Sequence, residues 1–267
     1  MKKILCPTDF STVADNSIVY AAKLAHHTNG VLTLLHVQSL TAFPDPEIAA
    51  GVTDELTALL KQRCLEVSRV FKISCDFELA TSYTSVTGTI GSTGRQYDLI
   101  VMGTNGASDL LQFFYGSNTY RVIRAATTPV LLIPENCLFS EIAHMVFAFD
   151  YWRQLDLPLE NLVDFANVFK SRITVLQVME ESVSQRAEQQ LAEFQQHARK
   201  WFADTRLTFD TIHTTDLNNG LHEYMLRSQA DLLALYEINR PTLEKLFHKS
   251  VIKRISALAS YPVFVFQ

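Results

Sequence analysis

Five short runs rich in Val, Ile and Leu, separated by amphipathic stretches of helical length, divide the first half of this chain. They predict strands at Lys3 to Pro7, Val31 to Val37, Ser74 to Leu79, Asp98 to Met102 and Val130 to Ile133. The first, second, fourth and fifth are apolar almost throughout, which a strand tolerates only when both of its faces are covered. That is the condition of a parallel sheet. Right-handed crossovers then place helices on both faces, so this half is predicted to be a doubly wound α/β domain with strand order 3-2-1-4-5.

The same grammar restarts after Pro134, with Met145 to Asp150 as a new first strand. Laying Asp9 on Asp150 is a shift of 141, and it also lays Leu34 to Val37 on Val175 to Val178. Further on, a shift of 133 lays Leu99 to Met102 on Leu232 to Leu235, and Thr128 to Val130 on Tyr261 to Val263. The chain is therefore an internal repeat, its second copy eight residues shorter in the middle. The loss is expected in the connection after the second strand, around Ser39 to Gly51, where Pro44, Pro46 and Gly51 predict a long loop before a helix starting near Asp54. In the second copy, Glu181 to Phe202 carries its acids early and its bases late, as a helix dipole favours. The 267 residues thus predict two domains, 1–137 and 138–267.

Charge and apolar runs exclude several classes. A net charge of -5 with pI near 5.9 offers no general attraction to nucleic acid or to anionic membrane. No apolar run approaches the roughly 18 residues of a membrane span, and Pro7 and Asp9 interrupt the N-terminal run before a signal sequence could form, so a cytoplasmic protein is expected. The four cysteines (Cys6, Cys64, Cys75, Cys137) show no metal-binding spacing and are expected to be buried free thiols.

Eight of the nine glycines lie before residue 117. Among them Gly103 and Gly106 follow the fourth strand in Gly103-Thr104-Asn105-Gly106, and Gly116-Ser117 opens the next helix, ahead of Asn118. The first strand ends in Pro7-Thr8-Asp9-Phe10-Ser11. In a 3-2-1-4-5 sheet, strands one and four are neighbours whose outgoing connections diverge, and the crevice at their carboxyl ends is where such sheets bind ligands. Glycines allow backbone to approach a phosphate, a helix N-terminus favours an anion, and Ser117 and Asn118 supply donors. Asp9 suits a ribose hydroxyl or an adenine amino group, with capping of the first helix as its alternative role and Ser11 as a rival cap. The backbone of Val37 can meet a base edge, whereas His36 is expected to be an interior histidine with its hydrogen bonds satisfied.

The ordered set Pro7-Thr8-Asp9-x-Ser11, Leu35-His36-Val37 and Gly103-x2-Gly106-x9-Gly116-Ser117 resembles the universal stress protein family, and the length is similar to that of its tandem members. The resemblance implies two tandem five-stranded parallel sheets, similar to the adenine nucleotide alpha hydrolases, forming a pseudo-twofold pair with the fifth strands, Val130 to Ile133 and Val263 to Phe266, side by side. It also implies that Asp9 and the Val37 backbone hold the adenosine end of ATP, or of ADP or AMP. Pro7 and Thr8 belong to the same wall, while Gly103, Asn105, Gly106, Gly116, Ser117 and Asn118 line ribose and phosphates. Mg²⁺ or Mn²⁺ would bind through the phosphates.

Two departures qualify this. No Lys or Arg lies between Arg95 and Arg121, so the phosphates must be met by backbone, Ser117, Asn118 and a divalent ion. In the second copy the glycine positions become Tyr236, Asn239 and Lys249, with Ser250 retained, which points to a structural partner domain. Walker A, GxGxxG and GxSxG patterns are absent, so a nucleotide-binding stress-response or signalling module, not an enzyme, is expected. The alternatives are a ligand-free interaction protein that keeps the fold and a slow ATP hydrolase. An unidentified protein partner is expected, and association into a homodimer stays open.

Overall fold

The computed structural model describes residues 1–42, 46–104, 118–149, 159–179, 206–237 and 260–267. The chain divides into two compact units, Met1–Phe139 and Ser140–Gln267.

In the first unit, β1 (Lys3–Pro7), α1 (Thr12–Thr28), β2 (Val31–Ser39), α2 (Pro46–Phe71), β3 (Ser74–Ser82), α3 (Val86–Gly94), β4 (Leu99–Thr104), α4 (Asn118–Ala125) and β5 (Val130–Pro134) follow in order. All the strand pairings are parallel, and the strands lie in the order β3-β2-β1-β4-β5. β1, β2, β4 and β5 bury their apolar runs: Ile4, Leu5, Leu32, Leu34, Leu99, Ile100 and Leu131 are all at 0% exposure. The outer strand β3, which alternates Cys, Asp, Phe and Glu, is mostly exposed or half-buried. The segment after β5 is tied back to α1, where Asn16 Nδ2 donates to the Pro134 and Cys137 carbonyls at 3.0 and 3.2 Å.

One boundary differs from expectation. A short 3-10 turn, Leu40–Ala42, follows β2, and α2 starts at Pro46, eight residues before Asp54. Proline and glycine signal a loop in sequence, but proline at the first helical position sacrifices no intrahelical hydrogen bond. Gly51 lies within the helix with nothing within 4 Å of where its Cβ would be, so the helix merely forgoes a side chain there.

The second unit holds β6 (His144–Phe149), α5 (Glu160–Phe169), β7 (Arg172–Met179), β8 (Leu207–His213), α6 (Leu217–Ser228), β9 (Leu232–Tyr236) and β10 (Val263–Phe266). Its strands are also parallel, in the order β10-β9-β6-β7-β8. Strand register establishes the repeat residue by residue. Ile4 pairs with Leu99 as Met145 pairs with Leu232, and Lys3 with Val31 as His144 with Arg172. The shift is therefore 141 over the first two strands and 133 at the fourth, as the sequence predicted. The predicted helix Glu181 to Phe202, and Asp150, lie outside the described residues.

Both copies also keep one polar device. Asp98 Oδ2 accepts from the backbone N–H groups of Lys2 and Lys3 at 2.5 and 3.0 Å. Asp231 Oδ2 accepts from those of Ala143 and His144 at 2.9 and 2.8 Å. Each carboxylate satisfies two donors at the start of a central strand. Burial alone would raise the Asp98 carboxyl, but those two backbone donors, with the nearby amino-terminal and Lys3 charges, hold it below its ordinary value.

His144 gives the second unit a pH dependence. It is buried, its Nε2 lies 2.8 Å from Thr174 Oγ1, and Arg172 Nη2 lies 3.1 Å from its Nδ1. An arginine can only donate, so Nδ1 is the acceptor and the proton sits on Nε2, pointing at Thr174. Burial, then the Arg172 charge, lower the His144 pKa below 6.5, against the opposing pull of Asp231 and the Ser228 carbonyl. A depressed folded-state value means that the unfolded chain takes the proton first. The contribution is thus complete above pH 6.5 and is lost as pH falls below it. Denaturant unfolding of the second unit is expected to shift to lower midpoints as pH falls below 6.5, and His144→Gln is expected to flatten that dependence.

Candidate functional site

The β1 exit is shaped by local hydrogen bonds. The Thr8 N–H donates to the Leu35 carbonyl at 2.8 Å, extending the β1–β2 ladder by one residue past Pro7. Thr8 Oγ1 then accepts the Phe10 N–H at 3.0 Å, and Asp9 Oδ1 accepts the Ser11 N–H at 3.1 Å. These two short turns hold Phe10 at a φ of 63°, a left-handed conformation uncommon for an aromatic residue. Backbone strain of this kind persists only where the surroundings enforce it, and it concentrates at functional sites.

Ser11, not Asp9, caps α1: its Oγ accepts the Ala14 N–H at 3.2 Å. Asp9 is left exposed, with Oδ1 engaged by its own turn. The helix thus has its cap without Asp9, whose second oxygen has no hydrogen bond among the described residues.

The neighbouring strand supplies the other wall. His36 Nδ1 lies 2.8 Å from the Thr8 carbonyl, which can only accept, so Nδ1 carries the proton. The expected interior histidine is half-buried instead, with Nδ1 hydrogen-bonded and its ring 5.0 Å from the Phe10 ring. The Val37 side chain is 8% exposed. Alternate residues of a strand turn their backbone groups to the same side. Because the Leu35 carbonyl faces β1, the Val37 N–H and C=O face that way too, past the point where β1 ends at Pro7.

β4 lies on the opposite flank of β1, with Ile4 beside Leu99 and Leu5 beside Ile100. It ends in Gly103-Thr104. A Cβ on Gly103 would stand 2.7 Å from Val13 Cγ1 and 2.9 Å from the Val13 carbonyl oxygen. The glycine therefore has a packing role, admitting the first turn of α1 against β4, quite apart from any ligand. Asn118 begins α4 and is exposed. Asn105, Gly106, Gly116 and Ser117 lie outside the described residues, so of the expected set the structure positions Pro7, Thr8, Asp9, Val37, Gly103 and Asn118.

The residues that sequence reasoning missed are Phe10, for its left-handed backbone, and Val13, for its place against Gly103. Nothing in an Asp-Phe-Ser stretch signals a positive φ at Phe.

Residues 1–134, the whole first unit through β5, match the model of the universal stress protein family. The chain belongs to the universal stress protein family. Over 139 residues it is 28% identical to a universal stress protein of Methanocaldococcus jannaschii, covering 49% of this chain and 81% of that one. Over 175 residues it is 27% identical to a universal stress protein of Synechocystis, covering 56% of this chain and 60% of that one. The crystal structure of a universal stress protein from Archaeoglobus fulgidus superposes with a TM-score of 0.79 at 16% identity, over 99% of this chain and 98% of that one. At that identity the likeness concerns fold, and it extends across both units.

As a universal stress protein with two units, the chain departs at the glycine positions in the second. The ladder that pairs Gly103 with Ile133 in the first unit pairs Tyr236 with Phe266 in the second. Tyr236 packs its ring 5.4 Å from that of Phe266. Asn239, Lys249 and Ser250 lie outside the described residues. Among the described residues no helix is long and apolar enough to cross a membrane.

Proposed function

We propose that the first unit binds ATP, or a related adenine nucleotide, at the carboxyl ends of β1 and β4, and that occupancy controls association with a protein partner in a stress response. The observation that carries this is the β1 exit. An exposed carboxylate that the helix does not need for capping follows the end of β1, and on the neighbouring strand the Val37 backbone faces the β1 side beyond Pro7. A carboxylate and a strand-end amide and carbonyl form the donor and acceptor set that an adenosine presents partners for. The spacing of Gly106, Gly116 and Ser117, in a chain of this family, supports placing the phosphates at the start of α4. Mg²⁺ or Mn²⁺ enters only through those phosphates; among the described residues no three His, Cys, Asp or Glu side chains gather to hold a metal ion. The role is binding and not catalysis, with no residue assigned to a chemical step.

Calorimetric titration of ligand-stripped protein with ATP, ADP and AMP in the presence of Mg²⁺ tests this. Saturable binding of at least one is expected, and Asp9→Ala is expected to weaken it about tenfold, the loss of one charge-assisted hydrogen bond. Absence of binding by all three would overturn the proposal. It would favour the second reading, an interaction protein that keeps the fold without a ligand, which draws on the lack of any Lys or Arg between Arg95 and Arg121. Mass spectrometry of the freshly purified protein for copurified nucleotide separates the same two readings.

A further inference from the structure

Two of the four cysteines are not isolated thiols. Cys64, in α2, and Cys75, in the outer strand β3, bring their sulfurs to 3.2 Å. The Cys75 thiol donates to the Cys64 sulfur, and the Cys64 thiol lies 2.9 Å from the Asp76 carbonyl oxygen. Cys64 is 5% exposed, whereas Cys75 is only half-buried, on a strand at one edge of its unit's sheet. The expectation of buried thiols therefore fails at Cys75, on a strand whose residues are mostly exposed or half-buried. Cys6 and Cys137 are different, being buried with their thiols pushed up to about 12 and about 11 by that burial.

We propose that Cys64 and Cys75 form an oxidation site at which hydroperoxides convert the pair to an intramolecular disulfide joining α2 to β3. The donor arrangement sets the order of events. Because Cys75 holds its proton against the Cys64 sulfur, negative charge is favoured on Cys64. The Cys64 thiolate attacks one peroxide oxygen, the O–O bond breaks, and the departing hydroxide takes a proton to become water. The resulting sulfenic acid on Cys64 is attacked by the Cys75 sulfur, which loses its proton as the S–O bond breaks and a second water leaves. Two thiols and one hydrogen peroxide thus become one disulfide and two waters. Cys64 is oxidised by two electrons to the sulfenic acid and the two sulfurs share that oxidation in the disulfide, the peroxide is reduced, and no further reagent is needed.

Geometry favours this pair over any other. A disulfide bond is about 2.05 Å long, so the sulfurs need close by only about 1 Å. The residues between them, the end of α2 and the turn at Lys72 with φ of 55°, form a short connection that already holds the two elements together. Cys6 sits on β1 with its sulfur 3.7 Å from Ser17 Oγ, facing α1, and competes for neither sulfur.

The experiment uses the full chain, first reduced, then exposed to excess hydrogen peroxide, unfolded, alkylated and digested with trypsin without reductant. Cleavage after Arg63, Arg69, Lys72 and Arg95 isolates the two cysteines on separate peptides, 64–69 and 73–95. The expected result is those peptides joined, lighter by two hydrogens than their sum, and separated again by dithiothreitol, with Cys6 and Cys137 alkylated. Cys75→Ser, a near-isosteric change, is expected to abolish the link and leave a sulfenic acid on Cys64 that dimedone traps. The proposal is overturned if both cysteines emerge alkylated, if the link forms between two chains, or if Cys64 joins Cys6 or Cys137 instead. Because the readout is covalent, its outcome does not depend on nucleotide binding.

Discussion

Replacing Gly103 with alanine is expected to cost the first unit about 2 kcal/mol, read as a lower midpoint of denaturant unfolding at unchanged slope. The added methyl would meet Val13 Cγ1 at 2.7 Å and the Val13 carbonyl oxygen at 2.9 Å, and real Cβ atoms do not stand that close to their neighbours. Neither partner yields cheaply. Val13 lies in the first turn of α1, whose position is set by the Ser11 cap and by the hydrogen bond from Asp15 N–H to the Ser11 carbonyl at 2.9 Å. Shortening Val13 removes only one of the two obstacles. The double variant Val13→Ala with Gly103→Ala is therefore expected to recover about 1 kcal/mol relative to the sum of the singles, the signature of direct contact in a double-mutant cycle. If Gly103 served only to let a ligand approach, the single substitution would leave the unfolding midpoint where it was and change nucleotide affinity alone. Unfolding measured without nucleotide separates these outcomes.

That distinction shows where the sequence was legible. The apolar strands could be recognised because a strand buried on both faces must be apolar throughout, and Ile4, Leu5, Ile100 and Leu131 are fully buried. The repeat was legible for the same reason, since β6 and β9 carry equally apolar runs in equivalent register. Strand β8, Leu207–His213, was not anticipated: Leu-Thr-Phe-Asp-Thr-Ile-His alternates in polarity, as an outer strand allows, and lacks a continuous apolar run. The start of α2 was missed because proline and glycine act as loop signals until the helix position of each is known. At the site, the type of Asp9 was informative, but its freedom from capping depended on Ser11 winning that role, a competition of local geometry. The glycine excess was legible only as a count. Part of it belongs to packing, at Gly103 against α1 and at Gly91 against α4, so it is not a record of the proposed nucleotide site alone.

Gly91→Ala supplies the stronger test, because intrinsic propensity and packing pull in opposite directions. In an unobstructed helix, Gly to Ala gains about 1 kcal/mol. At Gly91 in α3, the new Cβ would lie 2.6 Å from Ala125 Cβ, 2.7 Å from the Ala125 carbonyl carbon and 2.9 Å from its oxygen. Two of those three atoms are backbone of α4 and cannot rotate away, so the helices must separate. Forced overpacking costs up to about 3 kcal/mol, and net destabilisation of about 2 kcal/mol is expected once the propensity gain is subtracted. Gly51→Ala in α2 is the matched control, with open space around its Cβ. It is expected to raise stability by about 0.5 to 1 kcal/mol. The two variants also divide on binding. α4 opens at Asn118, directly after Gly116-Ser117, so displacing α4 displaces the helix start proposed to receive the phosphates. Gly91→Ala is therefore expected to weaken ATP binding as well as stability, whereas Gly51→Ala leaves affinity unchanged. Loss of stability at Gly91 with full retention of affinity would place the phosphates away from the start of α4.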